Sequence, residues 1–412
     1  MIDQRSANLL SDTDITSAAF KTDPFPFYAR LRADAPVLRV IIPRPLRQPA
    51  YLVTRYDDAQ GLFVDPRFAK NPLNARTPEQ LKTSPRVPAL LNPLTQNLLG
   101  LDDPQHARLK TLVHKAFSPR MIEQMRAQIQ TTADELLTMG ESKDGMDLMR
   151  DYASPLPLIM IGRMLGVPVA DNHKFHAWTQ AFVGLGEAGS RAIFSIPAML
   201  RFMAYLRKLI KERSARPQDD LISALVQARE GGDVMTDDEV LAMVFLLLSA
   251  GHETTVNLIA SGMLELLRHP DQLERLRADP SLTRPAIEEL LRFAGPAETA
   301  TERYAREDVM LAGTLIPRGS LVLAVIASAN RDERFFEHPD MLDISREPNK
   351  HLSFGVGVHY CVGAPLARME SQIAIRTLID RMPNLRLAQP AGITWRSGFV
   401  LRGLVSLPVK FH

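Results

Sequence analysis

The sequence predicts a mainly α protein with small β-sheets, an α+β fold built as a single domain over residues 1–412. Three observations carry that expectation. From about Pro104 to Arg292 apolar residues recur at helical spacing, as in Leu109, Leu112, Val113 and Phe117, with interruptions at prolines 155, 157, 168, 197 and 217. Residues 24–56 instead alternate proline-rich turns with short apolar runs, Val37 to Ile42 and Tyr51 to Thr54, which read as a small N-terminal sheet. After Arg292 the texture changes to glycine, proline and short strand-like runs, including Leu321 to Val325. A last helix is expected from about Pro365 to Arg381, then a strand-like tail from Phe399 to Val409. No repeat, low-complexity linker or charge block marks a domain junction.

Composition narrows the class. With 45% hydrophobic and 23% charged residues the chain is that of an ordinary globular protein able to bury a sizeable core. Lysines and arginines number 49 against 47 acids, so no global charge points to nucleic acid or an anionic membrane. The single cysteine excludes an intramolecular disulfide and favours a reducing, cytoplasmic setting. The first twenty residues lack the cationic start and apolar centre of an export signal. The longest apolar run, Val240 to Ala250 broken by Ser249, falls short of the roughly 20 residues that span a bilayer, so no membrane anchor is expected.

The most legible helix begins at Thr236, where Thr-Asp-Asp-Glu sets a cap hydroxyl and Glu239 at capping-box spacing, with Met235 and Val240 as a hydrophobic staple. Its pattern runs to about Arg268 and stops before Pro270, ~48 Å at about 1.5 Å per residue. Between Leu241 and Leu248 it is apolar on every face, which predicts burial. The patch His252, Glu253, Thr254 and Thr255 then interrupts it, directly after Ala250 and Gly251. His252 and Glu253 begin a zinc-protease pattern, but Val256 stands where its second histidine is required.

The segment Phe354 to Gly363, FGVGVHYCVG, sets the only cysteine in a glycine-punctuated loop that feeds the helix near Pro365. A thiol at a helix N-terminus meets amide donors and the positive end of the dipole, which favour the metal-binding thiolate. Gly355, Gly357 and Gly363 permit turns closed to other residues and let backbone approach a flat ligand. Phe354 can shield the sulfur and His359 can reach an anionic group. A lone cysteine is more often a small buried hydrophobe; its glycines and His359 reverse that reading.

This loop resembles the heme-binding loop of the cytochrome P450 superfamily, F-x-x-G-x-x-x-C-x-G, often FGxGxHxC in bacterial members. Phe354, Gly355, Gly357, His359, Cys361 and Gly363 match every fixed position. The resemblance implies the P450 fold, with the long central helix lying over heme b, and a heme-thiolate monooxygenase in which Cys361 is the axial iron ligand and His359 a propionate contact. Ala250 to Thr255, AGHETT, is similar to the family's oxygen-activating pattern. Ala250 and Gly251 would leave room for dioxygen, while Thr254, with Glu253 behind it, would hold the water that delivers protons. Glu289 and Arg292 match the ExxR pair, completed by an arginine like Arg346. Arg303 and His106 match propionate contacts, as does Lys110, which stands where the family has arginine and so loses the bidentate fork.

By family position the substrate pocket is lined by the loop 88–99, the segment Phe182 to Leu185, Leu247 to Ala250, Ala294 to Ala300 (Ala297 and Glu298 included), and Phe399 with Val400. These are mostly apolar or small and suit a hydrophobic terpenoid, polyketide, steroid or fatty-acid compound; Glu298 either orients a polar group or faces solvent. A monomer is expected, taking electrons from a separate ferredoxin and ferredoxin reductase. That partner would dock on the proximal face against Lys110, Lys115, Arg120 and Arg376. A peroxide-driven hydroxylase or a noncatalytic heme sensor would use the same cysteine loop, but neither needs the Glu253–Thr254 pair. Reduced protein treated with carbon monoxide is expected to show the red-shifted band of thiolate-ligated heme, and Cys361→Ala to lose it; a band that survives the substitution removes the assignment.

Overall fold

The computed structural model describes residues 14–42, 48–82, 92–94, 96–141, 144–171, 173–175, 177–178 and 196–411. The helix Asp237–Arg268 lies at its centre. Thr236 Oγ1 accepts the Glu239 amide at 3.2 Å, and the Glu239 carboxylate accepts the Thr236 amide at 2.8 Å, so two N-terminal donors are satisfied reciprocally. Met235 and Val240 are both buried beside this cap. At the other end His269 leaves helical geometry one residue before Pro270, whose ring disfavours a helical predecessor.

By length and composition alone this helix could cross a membrane, but most of its surface is buried inside the fold. The helices Pro155–Met164, Ile196–Ala215, Thr283–Ala294 and Ala364–Arg381 pack around it and share one large apolar core. Gly262 permits a close crossing. A Cβ there would stand 3.0 Å from Leu290 Cδ1 and 3.4 Å from Ile375 Cδ1, so a larger residue would push three helices apart.

Five strands, β1 (Val37–Ile41), β2 (Pro49–Val53), β8 (Leu321–Ala324), β5 (Arg303–Ala305) and β3 (Phe68–Ala69), form one sheet in that spatial order. β2 and β8 are parallel, with Ala50 opposite Leu321; the other pairs are antiparallel. β4 (Gly145–Asp147), β10 (Pro408–Lys410) and β9 (Arg386–Leu387) form a second sheet, and β6 (Val309–Leu311) with β7 (Thr314–Ile316) a hairpin. The strand expected from Phe399 to Val409 survives only as β10. Upstream of it the tail divides its hydrogen bonds among separate partners: Arg402 N donates to Pro296 O, Val405 N to Thr394 O and Leu407 N to Asp147 Oδ1, so no single ladder forms.

A buried ion pair ties the helical body to the irregular segment before the cysteine loop. Arg292 Nε and Nη2 donate to the Glu289 carboxylate at 2.8 and 2.7 Å, both side chains being wholly buried. The remaining guanidinium donors reach the carbonyls of Asn330, Pro339 and Met341. Arg346 Nε, Asn349 Nδ2 and the Asp343 amide donate to the same carboxylate. Every partner lies on residues 330–349, so one charge pair pins the chain that leads to the loop. Removing either member leaves the other charged and buried. Arg292→Ala is expected to cost about 3–5 kcal/mol in urea denaturation, whereas breaking the exposed Lys208–Glu212 pair changes stability little; equal effects would remove the anchoring role.

Candidate active site

Gly355 and Gly357 adopt φ of 66° and 76°, left-handed conformations that bend the loop so that Cys361 N donates to Phe354 O at 3.0 Å. Gly363 differs from expectation. Its φ of −78° is ordinary right-handed backbone, so no turn requires glycine there, and a Cβ would stand 3.9 Å from Cys361 Sγ. The helix Ala364–Arg381 starts immediately afterwards.

The thiol also departs from the expectation of a lowered pKa. Cys361 is open on one side but lies deep in the fold, and desolvation raises it more than the amides of Gly363 and Ala364 and the Arg368 charge lower it. Around the loop, Arg368 lies 4.5 Å from the Phe354 ring centre, forks onto Glu288 at 2.7 and 2.8 Å, and donates to Tyr360 Oη.

The predicted anion contacts converge. The rings of His106 and His359 stand 4.0 Å apart, and His106 Nδ1 is 3.3 Å from Asp103 Oδ1. Lys110 Nζ donates to Val358 O, tying the helix Gln105–Ala116 to the cysteine loop. Arg303 is buried on β5; its Nε donates to Leu62 O, and its Nη1 is buried without a hydrogen-bond partner. The sequence reading missed Lys70, buried just past β3, whose Nζ donates to Thr301 Oγ1 and Glu302 O. No signal marked it, because these partners lie some 230 residues away.

Burial depresses every one of these bases. Lys70 falls to about 7, with the Arg303 charge adding to its burial, and Arg303 to about 10; His359 falls to about 3, and His106 is lowered too. Asp102 is the carboxylate that opposes these shifts at Lys70, His106, Arg303 and His359 alike, and its oxygens are occupied by the amides of Lys70 and Asn71 and by Asn74 Nδ2. A basic cluster with an unpartnered guanidinium nitrogen beside an accessible cysteine fits a ligand carrying anionic arms and a metal. The residues present fit a heme.

On the middle turns of the central helix one broad face is partly accessible, Leu246, Ser249 and Glu253 included. Leu247, Ala250, Gly251 and Thr254 are at least partly accessible, while Leu241 to Phe245, Leu248, His252 and Thr255 are buried. Spacings of three, four and seven place the accessible four on one face. Thr254 Oγ1 donates to Ala250 O at 2.5 Å and Thr255 Oγ1 to Gly251 O at 2.9 Å, so the polar patch leaves the helix unbroken. Glu253, a quarter exposed, has Arg396 Nη1 3.7 Å from Oε1, a neighbour the sequence did not suggest.

The expected pocket walls are only partly confirmed as neighbours. Ala297 bridges Leu401, and the amides of Glu298 and Thr299 donate to Val400 O. Val400 is half exposed, but Phe399 packs on the N-terminal apolar cluster. Glu298 neither faces solvent nor awaits a ligand: it is 0% exposed and bound by Lys21 and Tyr28. Phe182 to Leu185 and residues 88–91 lie outside the described residues. Of the expected docking bases, Lys115 is paired with Glu230 and Arg376 with Asp380, while Arg120 is exposed.

Residues 52–383 match the family described as Cytochrome P450. The chain belongs to the cytochrome P450 family. It is 43% identical over 393 residues to the polyketide biosynthesis cytochrome P450 PksS of Bacillus subtilis, covering 95% of this chain and 96% of that one. To the cytochrome P450 monooxygenase PikC of Streptomyces venezuelae it is 43% identical over 397 residues, covering 95% and 92%. The solved structure of PksS superposes with a TM-score of 0.90 at 40% identity, over 97% of this chain and 99% of that one. This P450 is a monooxygenase, and its family takes a heme cofactor and oxygenates small molecules.

Glu288 links this site to pH. Burial works to raise it, yet hydrogen bonds from Arg368 and His351 outweigh burial and hold its carboxyl at about 2, below the ordinary 4.5. A folded pKa below the unfolded one means that the stabilisation is present above about 4.5 and disappears as pH falls from there towards 2. The stability gap between wild type and Glu288→Gln, measured by denaturant at pH 6 and again at pH 3, is expected to shrink at the lower pH; a constant gap would show that the pair contributes no ionic stabilisation.

Proposed function

We propose that this P450 binds heme b and inserts one oxygen atom of dioxygen into a C–H or C=C bond of an apolar, polyketide-type small molecule, with electrons from a separate ferredoxin-type partner. The observation that carries this reading is the accessible row Leu247, Ala250, Gly251 and Thr254 on a mostly buried helix. Apolar or small residues there accept a hydrophobic substrate, and the hydroxyl sits at its end. PksS, named for polyketide biosynthesis, supports the substrate class.

Cys361 would ligate the iron, and Lys70, His106, Lys110, Arg303 and His359 would hold the propionates. A bound heme would supply dioxygen binding and O–O bond cleavage, which a cysteine thiolate ligand favours. The chain supplies protons and exclusion of water. Because Thr254 Oγ1 spends its proton on Ala250 O, its lone pairs are left to accept from a water, which they hold at that row. Glu253, beside Thr254 and near Arg396, can release a proton to that water and recover one from solvent. Arg120 is exposed and supplies positive charge for an acidic partner, whereas Lys110 is tied to Val358 O and Lys115 and Arg376 are offset by Glu230 and Asp380.

Turnover of a polyketide lactone selected by its spectral shift, driven by a surrogate ferredoxin and its reductase, tests the reading. Thr254→Ala is expected to lower product per electron by about tenfold or more while the carbon monoxide band stays unchanged. Undiminished coupling in the variant, or product formed only when peroxide is added, would overturn it.

A further inference from the structure

Two pocket-wall segments, residues 296–300 and 398–402, come from distant parts of the chain and meet backbone to backbone. Glu298 N donates to Val400 O at 2.9 Å, Arg402 N to Pro296 O at 2.9 Å, and Ala297 bridges Leu401. On the accessible side of this seam stand Ala297 and Val400. On its buried side stands a polar knot. Glu298, Lys21, Tyr28 and Arg402 are each at most 5% exposed. Lys21 Nζ donates to one carboxylate oxygen of Glu298 and Tyr28 Oη to the other. Arg402 Nε donates to Lys21 O at 3.0 Å, and its guanidinium lies 3.6 Å from the Trp395 ring centre and 5.4 Å from that of Phe25.

Lys21 and Tyr28 belong to the helices Ala18–Thr22 and Phe25–Asp34, which otherwise pack on the first sheet. The same N-terminal segment holds the tail by backbone, since Gly398 N donates to Thr16 O at 2.9 Å. A buried carboxylate with one ammonium and one phenol as partners costs several kcal/mol to desolvate and tolerates little misplacement. An apolar side chain would fill the same volume without demanding that geometry. The knot therefore dictates where the seam lies relative to the sheet, at the position where Ala297 and Val400 face outward.

We infer that Glu298 is a positioning residue for substrate selection: clasped by Lys21 and Tyr28, it sets the two wall segments that define the width of the pocket. This rests on the reading above that those segments line the pocket. Glu298 touches no substrate. Its loss would change which molecules fit rather than whether the iron is ligated.

Holoenzyme titrated with clotrimazole, a bulky azole that must press on the walls, and with imidazole, which need not, tests this through the ratio of their spectral dissociation constants. In Lys21→Met/Glu298→Gln, which removes both charges and keeps both volumes, the clotrimazole-to-imidazole ratio is expected to rise about tenfold, ~1.4 kcal/mol, with the carbon monoxide band intact. Tyr28→Phe, which deletes one hydrogen bond, is expected to raise it by a smaller factor and decides alone if the double variant does not fold. A lowered melting temperature with an unchanged or falling ratio would mean that the knot only stabilises the fold, and the inference fails. Ala297→Phe reports on the underlying reading: if it leaves clotrimazole binding unchanged, these segments are not pocket walls, and both conclusions fall together; if it weakens binding while the clasp variants do not, only the clasp is wrong.

Discussion

A helix of thirty-two residues that is apolar on nearly every face has to be wrapped, and the wrapping organises the rest of the molecule. Four helices close around Asp237–Arg268, and Gly262 lets two of them approach to contact distance. One face of its middle turns is left partly accessible, and it carries the small residues Ala250 and Gly251 and the Thr254 hydroxyl. Because Thr254 and Thr255 return their hydroxyl hydrogens to carbonyls of the preceding turn, the helix carries polar groups through its centre without breaking.

Charge is handled in two different ways. Where it holds the fold, it is fully paired: Glu289 with Arg292 and Arg346, Glu298 with Lys21 and Tyr28. Where it is to hold a ligand, it is left unbalanced. Lys70, His106, Arg303 and His359 crowd together with Asp102 already engaged by amides, and the Arg303 Nη1 has no partner. Such an imbalance opposes burial of these bases, and an anionic group placed among them would relieve it.

Much of this was legible beforehand. The capping box at Thr236, the strands β1, β2 and β8, and the last long helix all declare themselves through local periodicity and caps, whose physics is contained within a few residues. The cysteine loop and the AGHETT patch were legible because their residues are contiguous. The tail was misread as one strand because the partners of its amides, Pro296, Thr394 and Asp147, lie in three separate places that local alternation cannot reveal. At Cys361 the helix terminus is visible in sequence, whereas the desolvation that opposes it is not.

By itself the sequence determined the helix-rich α+β class and set out the cysteine loop, the acid–threonine pair and the ExxR motif, since each depends on spacing along the chain. Only the tertiary structure decided that Glu298 is buried and bound by Lys21 and Tyr28, that Lys70 is buried beside Thr301 and Glu302, and that Arg396 stands by Glu253. Each of those contacts joins residues more than a hundred positions apart, and what a charged side chain does depends on whether burial has removed its water and which opposite charge has replaced it.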